Sequence, residues 1–506
     1  MSNIVGIDLG TTMSAIAVLN SVGKPEIIPN KDGHRLTPSV MFFENEQRIL
    51  IGEEAKNIAA TEDKFVAKEF KRKMHVEDYR FNIHNNSHTA SDLSSFILKK
   101  LAQDASLQVG NIKDVVISVP AYFKESQRNA TMQAGELAGL NVIAIINEPT
   151  AAALYYASTV EIKGKGLVYD LGGGTFDVTV TQTDGKDIQI VASEGDHHLG
   201  GVDFDMALLE LMEDKYSKET GGKLYLDAND KQEFLLLAED LKKSLSTRTS
   251  IKQKLSGEDG KITVEITQTE FEEKISTYIS RTELLVEQVL DEADCEPEDI
   301  DYILLVGGSS RIPAFQKSIK RLMGKEPIIA VNVDEAVALG AAIKAGLVMV
   351  KDNPASVSST IAMEINTLNV GDVANHSYGT ISMSYDENLQ KHISKNSIII
   401  KKNTPLPAKV VDTFYTVSDG QSIVDISITQ GEDSDPDFVD TIHQEDMELP
   451  ENRPEGQPIE FTYIYDENQM MKCVFKDVNS GIQKEVSVHV GIDSSKKNTL
   501  DAFLVD

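Results

Sequence analysis

Residues 168–180 read VYDLGGGTFDVTV and residues 5–18 read VGIDLGTTMSAIAV. Each is an apolar run of strand type broken by Asp-Leu-Gly and a turn of small residues, so the pair predicts two hairpins of one build. Gly and Thr in such a turn expose successive backbone N–H groups in a concave nest suited to phosphate oxygens, and glycine lets the backbone come close. Asp8 and Asp170 then stand on either side of the phosphates, where a hydrated Mg2+ takes oxygen ligands. One such turn is an ordinary tight hairpin. Two, each with its acid, form a nucleotide clamp.

The surroundings of the hairpins set the fold class. From residue 1 to about 350, short strand-like runs such as DVVISVPAYF (114–123) and YILLVGG (302–308) alternate with helical-period stretches such as SQRNATMQAGELAGL (126–140), the pattern of an α/β domain. KQEFLLLAEDLKKSLSTRT (231–249) carries an apolar stripe with charges opposite, as an amphipathic helix lying on a lobe does. A third glycine signal, LLVGGSSRIP (304–313), follows a buried-strand run. There Gly307 and Gly308 leave room for a ribose or base, and Arg311 can stack on it.

The segment 351–372 is polar and rich in small residues, with a weak apolar end, and reads as a linker. Beyond it the period is two: Val424, Ile426 and Ile428 alternate with Asp425, Ser427 and Thr429. Asp419-Gly420 and Asn479-Ser480-Gly481 supply hairpin signals. Residues 373–492 are therefore expected to form an antiparallel β-sandwich, followed by a short tail over 493–506.

Composition narrows the function classes. A chain of 506 residues suggests three to five lobes. Eighty acidic against 49 basic residues give a net charge of −31, which repels nucleic-acid phosphates and anionic membranes. Two cysteines far apart, Cys295 and Cys473, build no disulfide framework. The N-terminus lacks a basic, apolar leader, and no stretch has the roughly 18 apolar residues of a membrane span. The expectation is a cytoplasmic protein without nucleic-acid or membrane partners.

IDLGTT, VPAYF, INEPTAAAL, DLGGGTFDVTV, HLGG, VGGSSRIP and DEAVALGAA occur in this order. The sequence thereby resembles the seventy-kilodalton heat-shock chaperones, the DnaK family. FKRKM (70–74) and the spacing near 28–39 resemble its HscC branch. The resemblance implies an actin-like ATPase domain over 1–350, two duplicated lobes around a nucleotide cleft, followed by a β-sandwich that grips extended peptides. It implies ATP hydrolysis to ADP with Mg2+, and with K+ as a further expected cation.

Residue by residue, the resemblance places Gly10, Thr11, Thr12, Met13 and Gly172–Gly174 in the phosphate loops, with Gly200 and Gly201 in another phosphate-proximal turn. Asp8 and Asp170 match acids that hold Mg2+ through its waters, and Asp177 lies near the cations. Lys71 matches the lysine that places the attacking water, Thr175 a threonine beside the γ-phosphate, and Glu148 a water-orienting acid. Outside the resemblance, Lys71 belongs to a basic run that reads as a solvated helix face. Glu239, Lys242, Lys243 and Ser246 match ribose and adenine contacts, opposite Gly307, Gly308, Ser309, Arg311 and Asp334. Pro120, Arg128 and Asp372 match residues relaying nucleotide state between domains. Met383 and Val417 match a pair arching over bound peptide, with Phe414, Val424 and Ile426 in the pocket-lining stretch. Read alone, these five are ordinary inward-facing core.

Several positions depart from the family pattern. Lys243 stands where many members have Arg, and an ammonium lacks the flat stacking face. Val202 replaces an acid after the Gly200-Gly201 turn, removing a charge expected in cleft closure. Thr380 replaces an aliphatic residue near the peptide pocket. LNVGD (368–372) is less apolar than the usual linker, so its docking should bury less apolar area, at about 25 cal/mol per Å². Ala144 replaces an arginine used to dock a J-domain co-chaperone, the other implied partners being unfolded polypeptides and a nucleotide-exchange factor. Sixteen residues follow the last strand near Val490, about 24 Å as helix, so no helical lid is expected and peptide should exchange fast. The competing readings are a nucleotide-gated scaffold with little turnover and a small-molecule kinase of the actin-like superfamily.

Overall fold

The two hairpins form as the sequence predicts and organise two mixed sheets. In this computed structural model, which describes residues 3–506 except 62, 161, 330–331, 387–389, 489–499 and 501–502, Asn3–Asp8 pairs antiparallel with Met13–Leu19. Lys163–Leu171 pairs in the same way with Phe176–Asp184. The first strand of each hairpin also takes a parallel neighbour, Ile112–Val119 in one case and Ile300–Val306 in the other. Within them Val115–Val119 and Tyr302–Val306 are buried on both faces, as a covered sheet demands.

Helices fill the space between the sheets. Ala336–Asp352 lies against Glu148–Thr159, and a Cβ added at Gly340 would come within 1.8 Å of the Ala151 carbonyl oxygen, so only glycine permits that crossing. Val116, Ile146, Val168, Leu304 and Ala341 share one core here, so the two lobes are joined at their base and open above it.

Past residue 372 two four-stranded antiparallel sheets pack on one core. One runs Lys391–Ile400, Tyr378–Asp386, Ile423–Gln430, Asp440–Glu448 and the other Ala408–Tyr415, Pro458–Tyr465, Met471–Asp477, Gln483–Ser487. Ile426 and Ile428 from the first meet Phe461, Tyr463 and Phe475 from the second.

Two expectations need correction. Asn479-Ser480-Gly481 does join paired strands, but Asp419-Gly420 carries the chain from one sheet to the other, because Ala408–Tyr415 pairs with Pro458–Tyr465 and not with Ile423–Gln430. The stretch read as a linker contains a helix, Ser359–Ile365, and a strand, Asn369–Gly371. That strand extends the second lobe's sheet parallel to Asp187–Asp196, with Leu368 buried. It docks by backbone pairing as well as apolar burial. Most of the expected tail, 493–499 and 501–502, lies outside the described residues, but Leu504–Val505 pairs parallel with Arg48–Ile51 of the first lobe.

Candidate functional site

The two hairpin turns meet across a cleft of about 840 Å³ between the lobes, within the range of small-molecule sites. Their contact is close. A Cβ on Gly173 would sit 2.2 Å from the Thr12 hydroxyl oxygen, and one on Gly174 would sit 2.5 Å from that of Thr11. The Gly200-Gly201 turn joins them: Gly201 and Val202 donate backbone N–H groups to the carbonyls of Gly172 and Gly173 at 3.1 and 2.8 Å.

Acids crowd the base of the cleft. Asp170 and Asp177 are direct cross-strand partners, a placement that destabilises like charges, and Asp8 lies at the end of the opposite hairpin's first strand. Lys71, almost fully buried, pairs with Glu148 at 2.7 Å. Four carboxyl groups therefore surround one ammonium. Burial and then the Glu148 charge push Asp8 up to about 7, against the pull of Lys71 and of the Ser118 hydroxyl, which donates to it at 2.9 Å. Burial and then Glu148 push Asp177 up to about 8 despite the Tyr122 amide donating at 3.2 Å. Asp170 is raised well above the usual carboxylate range by burial, then by Glu148, Asp177 and Asp8.

The deficit is one of positive charge. One oxygen each of Asp170 and Asp177 is buried without a hydrogen-bond partner, a costly state that a cation would relieve. Among the described residues, no three His, Cys, Asp or Glu side chains form a group able to hold a metal ion by themselves. The donors present thus fit a divalent cation that brings its own oxygen ligands, from water or phosphate.

Most of the sequence-predicted nucleotide residues line this cleft: Gly10–Met13, Gly172–Thr175 and Gly201, then Glu239, Lys242, Lys243 and Ser246, and Gly307–Ser309, Arg311 and Asp334 on its far side. Gly307 has φ +79°, and a Cβ there would meet the Leu171 carbonyl oxygen at 2.4 Å. Gly200 and Asp177 are not among the lining residues. Gly200 packs on the Gly173-Gly174 backbone and donates its N–H to Asp203 at 2.8 Å, and Asp177 is buried against Tyr122. Lys243 pairs with Glu239 at 2.6 Å, as Arg311 does with Asp334 at 2.6 Å.

Sequence reading missed what spans the cleft. Lys56 reaches Glu239 at 2.7 Å. Burial alone would raise Glu239, but the charges and hydrogen bonds of Lys56 and Lys243 bring it down to about 2. Arg72 pairs with Asp203 at 2.5 Å and donates to the Gly174 carbonyl at 3.0 and 2.8 Å. The cleft therefore keeps a cross-lobe ion pair beside Val202, through Asp203. Asp205, pushed up to about 6 by burial against its 2.7 Å pair with Lys242, also lines the cleft. The only sequence signal for Arg72 was the basic run that reads as a solvated face.

The model of the family described as "Hsp70 protein" matches residues 4–503. The chain belongs to the Hsp70 family. It is similar to the Chaperone protein DnaK of Thermotoga neapolitana, 38% identical over 497 residues, covering 96% of this chain and 80% of that protein. The same name and the same figures hold for Thermotoga maritima. Thermosipho africanus has a Chaperone protein DnaK 37% identical over 498 residues, with 96% and 79% covered. Hsp70 proteins are ATP-dependent chaperones that use Mg2+, with an actin-like ATPase domain followed by a β-sandwich. Among the described residues, no helix of this Hsp70 chain is long and apolar enough to cross a membrane.

The three residues expected to relay nucleotide state, Pro120, Arg128 and Asp372, come together at the seam between the lobes and the sandwich. Arg128 is buried, donating to the Phe123 and Ala121 carbonyls at 3.1 and 3.0 Å, to the Asn147 amide oxygen at 2.7 Å and to Gln469 of the sandwich. Asp372 accepts from Asn147, Thr150 and Gln469 at 3.1, 3.1 and 2.7 Å. Pro120 is buried just before this turn and accepts from the Phe123 amide at 3.1 Å. Ala144 is buried in the core between the lobes and offers no side chain at the surface. In the sandwich, Met383 and Val417 are 49% and 55% exposed, Phe414 and Val424 half-buried, and Ile426 fully in the core. Thr380 is buried beside Ser427 at 3.2 Å, hydroxyl to hydroxyl, so its polarity is satisfied inside the sheet.

Proposed function

We propose that ATP binds between the two hairpins with its phosphates on the Thr11-Thr12 and Gly172–Thr175 turns, and that its hydrolysis governs the grip of the β-sandwich on extended segments of unfolded polypeptide. The observation that carries this reading is the buried Lys71–Glu148 pair at 2.7 Å, set among Asp8, Asp170 and Asp177. A water beside the γ-phosphate would be oriented by Lys71, which donates, and Glu148, which accepts, with Thr175 on the phosphate. Catalysis here is positioning plus electrostatic stabilisation. Asp8 and Asp170 would hold Mg2+ through water, and when bound it neutralises charge developing on the phosphate oxygens. The unpartnered oxygen of Asp177 supports the expected K+.

Coupling to the sandwich is supported by chain continuity. Asn147, which bonds both Arg128 and Asp372, immediately precedes Glu148 at the start of the helix Glu148–Thr159. A displacement of Glu148 on loss of the γ-phosphate is thus one residue away from the contacts that hold the sandwich. Met383 and Val417 are the proposed peptide contacts, with Phe414, Val424 and the core residue Ile426 behind them, and their exposure supports fast peptide exchange. The HscC-like assignment, a cytoplasmic location, and work with J-domain and nucleotide-exchange partners complete the proposal. Ala144, being buried, does not contribute to docking.

The test is ATP turnover by the parent and by Lys71→Ala, with and without an unfolded peptide. The parent should be stimulated by peptide, and Lys71→Ala should lose roughly 10²–10³-fold in rate. A parent rate indifferent to both would leave a nucleotide-gated scaffold as the better account.

A further inference from the structure

Leu504–Val505 does not lie on the sandwich that precedes it. It adds to the edge of a sheet in the first lobe, in the register Leu504↔Arg48 and Val505↔Ile49. Leu504 donates its N–H to Gln47 at 2.7 Å, Asp506 donates to Ile49 at 3.0 Å, and Ile51 donates to the Asp506 carbonyl at 2.9 Å. Side chains alternate as strand addition requires: Phe503 and Val505 are buried and Leu504 is exposed. The Phe503 ring meets Phe96 and His88 edge-on at centroid distances of 5.3 and 5.6 Å, and Leu500 joins the same core. Arg48 closes the end, donating to Asp506 at 2.9 Å and to Glu44 at 3.0 Å.

Without this segment, Arg48–Ile51 would be an open sheet edge with unpaired backbone groups beside an apolar hole the size of a phenyl ring. We propose that this edge is a second peptide-binding site, separate from the sandwich. It is a strand-addition groove for an extended segment with an aromatic residue, an aliphatic residue two positions on, and an acid after that, and residues 503–506 are its ligand in cis. Backbone pairing supplies affinity and the alternating pockets supply selectivity, the mode by which an edge strand recognises a peptide. Three backbone bonds and one ring make a small contact, belonging to the low-stability end of a fold that opens locally.

The consequence is mechanical. The strand Asn369–Gly371 anchors the front of the sandwich to the second lobe's sheet, while Leu504–Val505 anchors the segment after it to the first lobe's sheet. The sandwich is bracketed by two strand additions, one on each side of the nucleotide cleft, and a competing peptide at Arg48–Ile51 would free one of them.

The probe is a fluorescein-labelled synthetic peptide of residues 500–506, Leu-Asp-Ala-Phe-Leu-Val-Asp, its binding followed by anisotropy. The full chain should bind weakly because its own segment fills the groove. Phe503→Asp should bind about tenfold more tightly or better, the cis ligand no longer competing at high effective concentration. A chain ending at Val488 should behave alike, which covers the case in which Phe503→Asp folds poorly. Adding Arg48→Glu to either variant should weaken binding about threefold, and a peptide with Lys in place of its last Asp should recover it. Equal binding by the parent and both variants would overturn the proposal. So would variant binding that ignores Arg48→Glu, since the sandwich would then be capturing the peptide.

Discussion

The nucleotide cleft and the peptide face of the sandwich differ in what their residues must explain. In the cleft, Lys71, Glu148, Asp170 and Asp177 are ionisable and buried, with Asp8 half-buried beside them, a state that persists only with partners or a purpose. On the sandwich, Met383 and Val417 are exposed apolar side chains and Ile426 is core, states that any soluble protein contains. Buried charge therefore identifies a site from its own energetics, whereas an exposed aliphatic residue acquires meaning only from the family to which the chain belongs.

The sharpest way to break that contrast is to change the charge balance of the cleft. Lys71→Ala removes the one ammonium among four acids, and breaking a buried pair from the cationic side should cost about 3–5 kcal/mol of stability, measured by denaturant unfolding at pH 8. Glu148→Gln removes an acid whose charge raises Asp8, Asp170 and Asp177. It should slow turnover while leaving the nucleotide-free protein as stable as the parent or more so. Equal destabilisation by both substitutions would contradict the account of a cation deficit.

Next in size is pH. Asp8 near 7 and Asp177 near 8 hold protons in the folded protein that an unfolded chain, with ordinary carboxylates, has released. The native state thus binds more protons between about pH 4 and 8, and the stability of the nucleotide-free protein should fall as pH rises through that window. Binding of Mg2+ with nucleotide favours the ionised acids, so its affinity should rise from pH 6 to 8. Calorimetry at pH 7 in buffers of different ionisation enthalpy should register release of about one proton. Affinity independent of pH would contradict it.

On the sandwich side the expected effects are smaller. Val417→Asp should weaken peptide binding by about 1–2 kcal/mol and leave basal hydrolysis untouched, as read by anisotropy and turnover on the same sample. Smallest is Lys243→Arg, which puts a planar cation on the cleft wall where the proposed nucleotide's base would stack. It should tighten nucleotide binding by no more than about 1 kcal/mol, because it can keep the pair with Glu239.

The same contrast governs what the sequence disclosed. Asp8, Asp170 and the glycines of both turns were legible because an acid ending a strand before a small-residue turn has few structural uses, and its repetition has fewer. Arg72–Asp203 and Lys56–Glu239 were not, since each pair joins elements more than 130 residues apart and its members carry no local mark beyond charge. LNVGD has few apolar side chains to bury, yet Asn369–Gly371 also docks through backbone pairing, which has no compositional signature. Asp419-Gly420 marked a turn correctly, but which strands flank one another is decided by the packing of two sheets around Ile426, Phe461 and Phe475, not by the turn.

The central claim is that hydrolysis in the cleft and peptide in the sandwich communicate through the buried Arg128–Asn147–Asp372–Gln469 contacts. It is tested most directly by the steady-state ATP turnover of the parent and of Asp372→Asn, each at saturating ATP with and without an unfolded peptide. The account predicts that peptide accelerates the parent severalfold, about 1 kcal/mol of coupling or more, and leaves Asp372→Asn near its basal rate. Equal acceleration of both proteins, or of neither, would contradict it.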